Sequence, residues 1–388
     1  MRLKIKKIFQ SIDKPLFFVM CIIIIFGLLN IVTASSRETV VRYEQSLYHY
    51  FFQHSLMLTI ALIGSIAIIN VPTKYYKLIG PLLYIVSLGL LIYLSLTGTS
   101  ERGSVNWLSI AGFTFQPSEL AKPVMIVCLA LTFEFFYKQL RNTKLEHYNI
   151  IAFILLIGLI MPVIVFLQGD LGTCLIILGI FCVLFLASPI LKIEKFKTFI
   201  FLFIVGIVGV LGIYSIKGYV LTETQLKRFD FFNPCSKYEK SGYQICNGFI
   251  AINDGGLLGL GIGKSKQKYS YIPDPHTDSV FAIMAEELGF LLSTLVFIAY
   301  IFILGRILRI ASRASTIRGR YMCLGIAVYM FLHILLNLGG LFGILPLTGV
   351  PLPFLSYGGT FTICLICSLA IVQRVHIETY SQKSVTEK

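Results

Sequence analysis

YNIIAFILLIGLIMPVIVFLQGDLGTCLIILGIFCVLFLASP, residues 148–189, decides the fold class. Two apolar runs, 148–167 and 171–189, flank one polar break, Gln168-Gly169-Asp170. Neither run alternates apolar with polar residues, which disfavours barrel strands. Each is near the ~20 residues that a helix needs to cross a bilayer. Eight further apolar segments share this character: 15–34, 51–70, 78–97, 117–137, 198–216, 279–304, 321–342 and 358–373. The sixth and tenth in chain order are short and begin beside Gly-containing turns, QGD at 168–170 and SYGG at 356–359. Composition agrees. Hydrophobic residues are 56%, charged residues 13% and mean hydropathy +0.82, against about 25% charged in a soluble chain. The expectation is an all-α polytopic membrane protein with about ten transmembrane helices. Residues 1–376 form one membrane domain, and 377–388 form a polar, disordered tail. The first run lacks a cleavage site and reads as a retained span.

An even number of spans puts both termini on one side, and charge names the side. The terminal side collects Lys14, Lys74, Lys77, Lys138, Arg141, Lys192, Lys195, Lys197, Arg306, Arg309, Arg313, Arg318, Arg320 and Arg374 with few acids. Both termini are therefore expected in the cytoplasm. The net charge of +14 reads as loop charge of this kind, not as a nucleic-acid surface. The opposite side carries the 217–278 loop, between the seventh and eighth spans, which is long enough to be functional. Seven of the nine cysteines fall in spans, where thiols pack as small apolar groups. The pair Cys364-x-x-Cys367 is of this sort, because it lacks the clustered ligands of a metal site. Cys235 and Cys246 lie in the outer loop, where oxidation is possible; the sequence leaves a disulfide and two thiols equally open.

Ionisable groups inside spans mark function or a partner. In FQPSELAKP, 115–123, Glu119 and Lys122 share a helix face. They form a self-neutralising pair, shape a substrate site, or do both. Asp170 caps the sixth span or serves a site. YSYIPDPHTDSVFAIMAEELGF places Asp274, His276, Asp278, Glu286 and Glu287 within one short stretch. Asp278 stands where the eighth span begins, and partial burial there suits a carboxylate to proton transfer as well as to capping. Glu286 and Glu287 lie deeper and call for partners from another span. GGLLGLGIGKSKQK, 255–268, carries Lys264, Lys266 and Lys268. It reads either as a flexible turn or as an anion cradle of N–H groups and cations. It is not a Walker motif, since Leu258 stands where the first Gly is needed. In TGVPLPFLSYGGT, 348–360, prolines break the helix, and irregular backbone at membrane depth implies a sheltered cavity, lined by Ser356 and Tyr357.

NWLSIAGFTFQPSELAK, GYQICNGFIAINDGGLLGLGIGKSKQKYSYIPDPHTDSVFAIMAEELG and GVPLPFLSYGGT together resemble the SEDS family of FtsW, RodA and SpoVE, across all ten spans. GKSKQK and AEELG are closer to FtsW, while PLTGVPLPF has a RodA flavour; an FtsW-like member is favoured. The resemblance implies a peptidoglycan glycosyltransferase of the bacterial cytoplasmic membrane that polymerises lipid II at the outer face. It also implies a class B penicillin-binding protein as partner, within a division or elongation complex. The family's essential Asp falls on Asp278, its Glu and Lys on Glu119 and Lys122, and its Q-x-D acid on Asp170. Asp274 replaces a common Glu, Asn106 a basic residue before Trp107 (with Arg102 upstream), Ser279 a common Phe, and Thr360 a Ser.

The implied chemistry is one inverting displacement. Asp278 takes the proton from an acceptor 4-hydroxyl, whose oxygen attacks the donor's anomeric carbon and expels undecaprenyl pyrophosphate. Lys122, Lys264, Lys266, Lys268 or a divalent cation (Mg or Mn) would neutralise the pyrophosphate. His276, Thr277 and Ser356 complete the expected substrate contacts. A lipid II flippase or other transporter is the rival, because broken spans and buried charges also mark transport paths. A scaffold without chemistry would leave the acidic cluster idle.

Overall fold

The computed structural model describes residues 11–37, 39–40, 44–98, 104–110, 113–142, 147–220, 226, 231, 233–237, 242–269, 271–273 and 275–386. Asp274 and Arg102, and about a quarter of the 217–278 loop, lie outside the described residues. Within them the apolar segments form ten long helices: α1 (Lys14–Arg37), α2 (His49–Asn70), α3 (Tyr76–Thr97), α4 (Pro117–Phe135), α5 (Tyr148–Leu167), α6 (Leu171–Ala187), α7 (Lys192–Lys217), α9 (Val280–Arg313), α10 (Ile317–Leu341) and α11 (Gly359–Thr386). A shorter helix, α8 (Tyr243–Gly255), belongs to the loop between α7 and α9. Two three-residue strands, β1 (Leu108–Ile110) and β2 (Phe113–Phe115), pair antiparallel ahead of α4. Eight helices are long and apolar enough to span a membrane. Of the other two, α6 has 17 residues, and α4 carries Glu119, Lys122 and Glu134.

The centre of the bundle is α4, α10 and α11, whose side chains are mostly buried. α7 is the reverse: it shows apolar side chains all round, from Phe201 to Tyr214, and no residue of its most apolar stretch is buried. Such a helix suits a lipid surround.

Two features depart from expectation. α11 does not stop at 373 but continues to Thr386. In the expected tail, Ile377 and Thr379 are buried, and Glu378 accepts from the Thr73 backbone N–H (2.7 Å) and from Arg374 (3.1 Å). The polar residues read as disorder are instead one face of a helix. α9 is also not continuous, since Gly289 sits at φ 73°, ψ −178°, a conformation that only Gly adopts readily.

Charge pairs gather at one end of the bundle. Asp13 meets Arg306 and exchanges hydrogen bonds with Gln373 (2.8 and 3.1 Å). Glu134 meets Arg318 (2.7 Å), which also donates to Thr73 (2.9 Å). These contacts place the residues expected in the cytoplasm together. The other end carries Asp170, α8 and Asp278.

The 342–358 crossover between α10 and α11 is irregular but enclosed. Asn337 donates to Val350 O (2.8 Å), and Tyr300 donates to Pro353 O (2.6 Å). Phe354 is held at φ 65°, an unusual setting for a bulky residue. Its carbonyl packs on Gly27, where a Cβ would come within 2.0 Å of the oxygen. Protein contacts thus shelter this non-helical segment, as membrane depth requires.

Candidate active site at the start of the eighth long helix

Asp278 lies two residues before α9 and is half-buried. Its Oδ1 is met by the Gln244 amide nitrogen (3.3 Å), Thr277 Oγ1 (3.4 Å) and Ser279 Oγ (3.4 Å). Gln244 also donates to Ser279 Oγ (2.9 Å). Oδ2 points toward Gly349, where a Cβ would stand 3.9 Å away. The backbone beneath is fixed by other elements. Asn337 of α10 donates to Asp278 O (2.8 Å), Ser356 donates to Thr277 O, and Tyr357 N–H donates to His276 O (2.8 Å). The SYGG segment therefore bolts onto residues 276–278.

This gives Ser356 a different place from the cavity wall expected for it. Its hydroxyl also accepts from Leu352 N–H (2.8 Å), and the residue is 1% exposed. Tyr357 remains half-exposed, and its hydroxyl donates to Gln53 (2.6 Å). His276 is buried with its ring against Tyr50 (4.3 Å between centroids) and near Tyr357 (5.7 Å). Thr277 is half-buried beside Asp278.

The glycine-rich loop is neither a flexible turn nor an open anion cradle. It fills the break in α9. Leu260 N–H donates to Glu286 O (3.0 Å) and Gly261 N–H to Glu287 O (2.9 Å), while Phe290 N–H donates to Gly256 O (2.9 Å). The loop thus restores bonds the helix loses at Gly289. Close approach explains the glycines: a Cβ on Gly259 would meet Glu287 O at 2.2 Å, and one on Gly289 would meet Gly259 N at 2.3 Å. The N–H cradle exists, but its anion is internal. Glu286, fully buried, accepts from Ser265 Oγ, Lys266 N–H (2.8 Å) and Gln267 N–H (3.3 Å). Glu287 pairs with Lys268 (2.9 Å). The partners expected from another span come instead from this loop. Lys268 also donates to Gly263 O (2.8 Å) and is enclosed. It is therefore already neutralised, unlike Lys264 and Lys266, which are exposed.

Glu119 and Lys122 form a second closed unit. Lys122 Nζ donates to Glu119 (2.6 Å) and lies 3.1 Å from His333 Nε2; Lys122 is 0% exposed. His333 Nδ1 lies 3.2 Å from Pro351 O. A carbonyl only accepts, so Nδ1 carries the proton and Nε2 receives the bond from Lys122. Tyr329 donates to Glu119 (3.4 Å). The pair is self-neutralising and faces no open surface, so direct contact between Lys122 and pyrophosphate does not fit this arrangement. Asp170 accepts from Thr173 N–H (3.0 Å) at the start of α6 and from the Gln116 side chain (3.2 Å). It is a helix cap that also ties α6 to the entry of α4.

Gln244, Asn337, His333 and Gln116 were missed by sequence reasoning. Each is a single polar residue whose partner lies on another element, so no local spacing announces it. Among the described residues, no three His, Cys, Asp or Glu gather to hold a metal ion.

The family pattern of the cell cycle proteins FtsW, RodA and SpoVE matches residues 13–381. The chain belongs to this family. It is 32% identical over 389 residues to the probable peptidoglycan glycosyltransferase FtsW of Bacillus subtilis (strain 168), covering 96% of this chain and 92% of that protein. It is 30% identical over 382 residues to stage V sporulation protein E of the same organism, covering 96% and 98%. A solved chain described under the structural coordination of polymerization and crosslinking by a peptidoglycan synthase complex superimposes with a TM-score of 0.73 at 23% identity. That match covers 95% of this chain and 98% of the other. The helical bundle is thus the fold that this chain shares with that solved chain.

Proposed function

We propose that this chain is a peptidoglycan glycosyltransferase that polymerises lipid II, with Asp278 as the base. The observation that carries the reading is the contrast among the acids. Glu119, Glu286 and Glu287 are closed away and paired, and Asp170 is engaged at a helix cap. Asp278 stays half-exposed at a helix start, with its carboxylate oriented by three side chains. The carboxylate accepts the proton of the acceptor 4-hydroxyl as that oxygen bonds to the donor's anomeric carbon. The bond from that carbon to the pyrophosphate oxygen breaks, and undecaprenyl pyrophosphate leaves with the electron pair. Inversion follows from the single displacement.

The exposed Lys264 and Lys266 are the loop cations offered to the pyrophosphate. Mg2+ ordinarily needs only one or two carboxylates plus substrate phosphates. The described residues build no protein-only metal cage, so a divalent cation would be held chiefly by the substrate's pyrophosphate. The outer face of the cytoplasmic membrane is the proposed location of the site. The Cys235–Cys246 disulfide supports it, since such bonds persist in oxidising compartments. A class B penicillin-binding protein within a division or elongation complex is the proposed partner.

Purified protein given lipid II should produce glycan polymer, resolved as a ladder on a gel. A flippase would instead move labelled lipid II across a vesicle bilayer without forming polymer, and that result would replace this reading with the transport one.

A further inference from the structure

We infer that Gln244 is a positioning residue for the Asp278 carboxylate, and that the Cys235–Cys246 disulfide acts by holding Gln244 in place. This rests on Asp278 being the base. Gln244 is the second residue of α8. A carboxylate oxygen only accepts, so the amide nitrogen is the group that faces Oδ1, at 3.3 Å. The same nitrogen donates to Ser279 Oγ (2.9 Å), whose oxygen is itself 3.4 Å from Oδ1. Gln244 therefore touches the carboxylate directly and through Ser279.

Among the described residues, no side chain caps the start of the helix that carries it. The residue before α8 is Gly242, which supplies no side-chain cap. The start of α8 is held from outside. Cys246, one half-turn after Gln244, is 4% exposed and bonded to Cys235, with the two Cα atoms 5.0 Å apart. Cys235 lies in the helical turn Pro234–Lys237. A Cβ on Gly242 would come within 1.8 Å of Pro234 O, so the two segments touch at the backbone. At its far end α8 is seated by Gly255, where a Cβ would come within 2.1 Å of Ala285 O in α9. α8 is thus clamped at both ends, and the disulfide is the clamp on the end that reaches Asp278. Small displacements of a positioning group are expensive in rate. A covalent tie on an otherwise uncapped helix start is a direct means of preventing one.

The test uses the full chain in lipid vesicles, with its transpeptidase partner where activity needs it, and initial rates on lipid II. Gln244→Leu should lower kcat roughly tenfold with KM unchanged. Gln244→Glu keeps the size but loses the donor and sets a like charge against Asp278, so it should be slower still. A residue that only filled space would rank Glu above Leu. Cys235→Ser with Cys246→Ser should lower kcat to the Gln244→Leu level. In a Gln244→Leu background the serine changes should add nothing, because contacts acting in series are not additive. Dithiothreitol applied to folded wild-type protein should reproduce the loss, which guards against variants that fail to fold. Unchanged kcat in the serine variant and the reduced protein, or losses that multiply independently, would overturn the inference. Activity in Asp278→Asn would overturn the base assignment instead. A dead Asp278→Asn beside wild-type kcat in Gln244→Leu would sink this inference alone.

Discussion

Lys122 shows how a buried charge can be present without facing a ligand. Its ammonium is completed by Glu119 at 2.6 Å and by His333 at 3.1 Å. Removing one member of such a pair strands the other, at a cost of about 3–5 kcal/mol. Lys122→Met should therefore lower the yield of folded protein more than Glu119→Gln combined with Lys122→Met, measured as monodisperse protein after detergent extraction. Equal yields for single and double variants, with lost activity in both, would mean that the pair serves substrate more than fold. The sequence showed the i, i+3 spacing of this pair, but not His333, which lies on α10 and meets Lys122 only after packing. The same holds for Glu286 and Glu287. Their need for partners was readable, but their source was not. A loop some 20 residues earlier in the chain supplies the N–H groups and the Lys268 cation.

Among the elements, apolar runs of about helix-spanning length were legible because lipid demands them. The breaks were less so. AEELGFLLST reads as uninterrupted helix, and only the docked loop reveals why Gly289 leaves the helical region. Gly289→Ala should destabilise the protein by about 1–3 kcal/mol, since the setting suits only Gly and the new Cβ meets Gly259 N at 2.3 Å. Gly305→Ala, on the same helix with nothing within 4 Å of the added carbon, should be neutral or stabilise by about 0.5–1 kcal/mol. Thermal unfolding of both proteins in detergent checks the contrast; equal midpoints would contradict the docked loop. The continuation of α11 was misread because Arg374 and Glu378 are polar. Their partners, Ile69 O and Thr73, lie on other elements.

At the scale of the whole molecule, the charge pairs of one end and the Asp278 cluster of the other lie on opposite sides of the bundle. The Asp278 end is the proposed outward face. With the free cysteines replaced and Cys235–Cys246 kept, a Cys at Lys264 should react with a membrane-impermeant maleimide on intact spheroplasts. A Cys at Ser315, between α9 and α10, should react only after permeabilisation. Both positions are exposed, and the reverse pattern would put Asp278 on the cytoplasmic side.

Asp278 is proposed as the group that moves the proton in glycan polymerisation. The most direct measurement compares wild type and Asp278→Asn, each purified folded and with its partner bound, for polymer formed from lipid II. The expected loss is at least 10²–10⁴-fold in rate, the contribution of a positioned base, with partner binding and thermal stability unchanged. Polymer at near wild-type rate from Asp278→Asn would exclude Asp278 as the base.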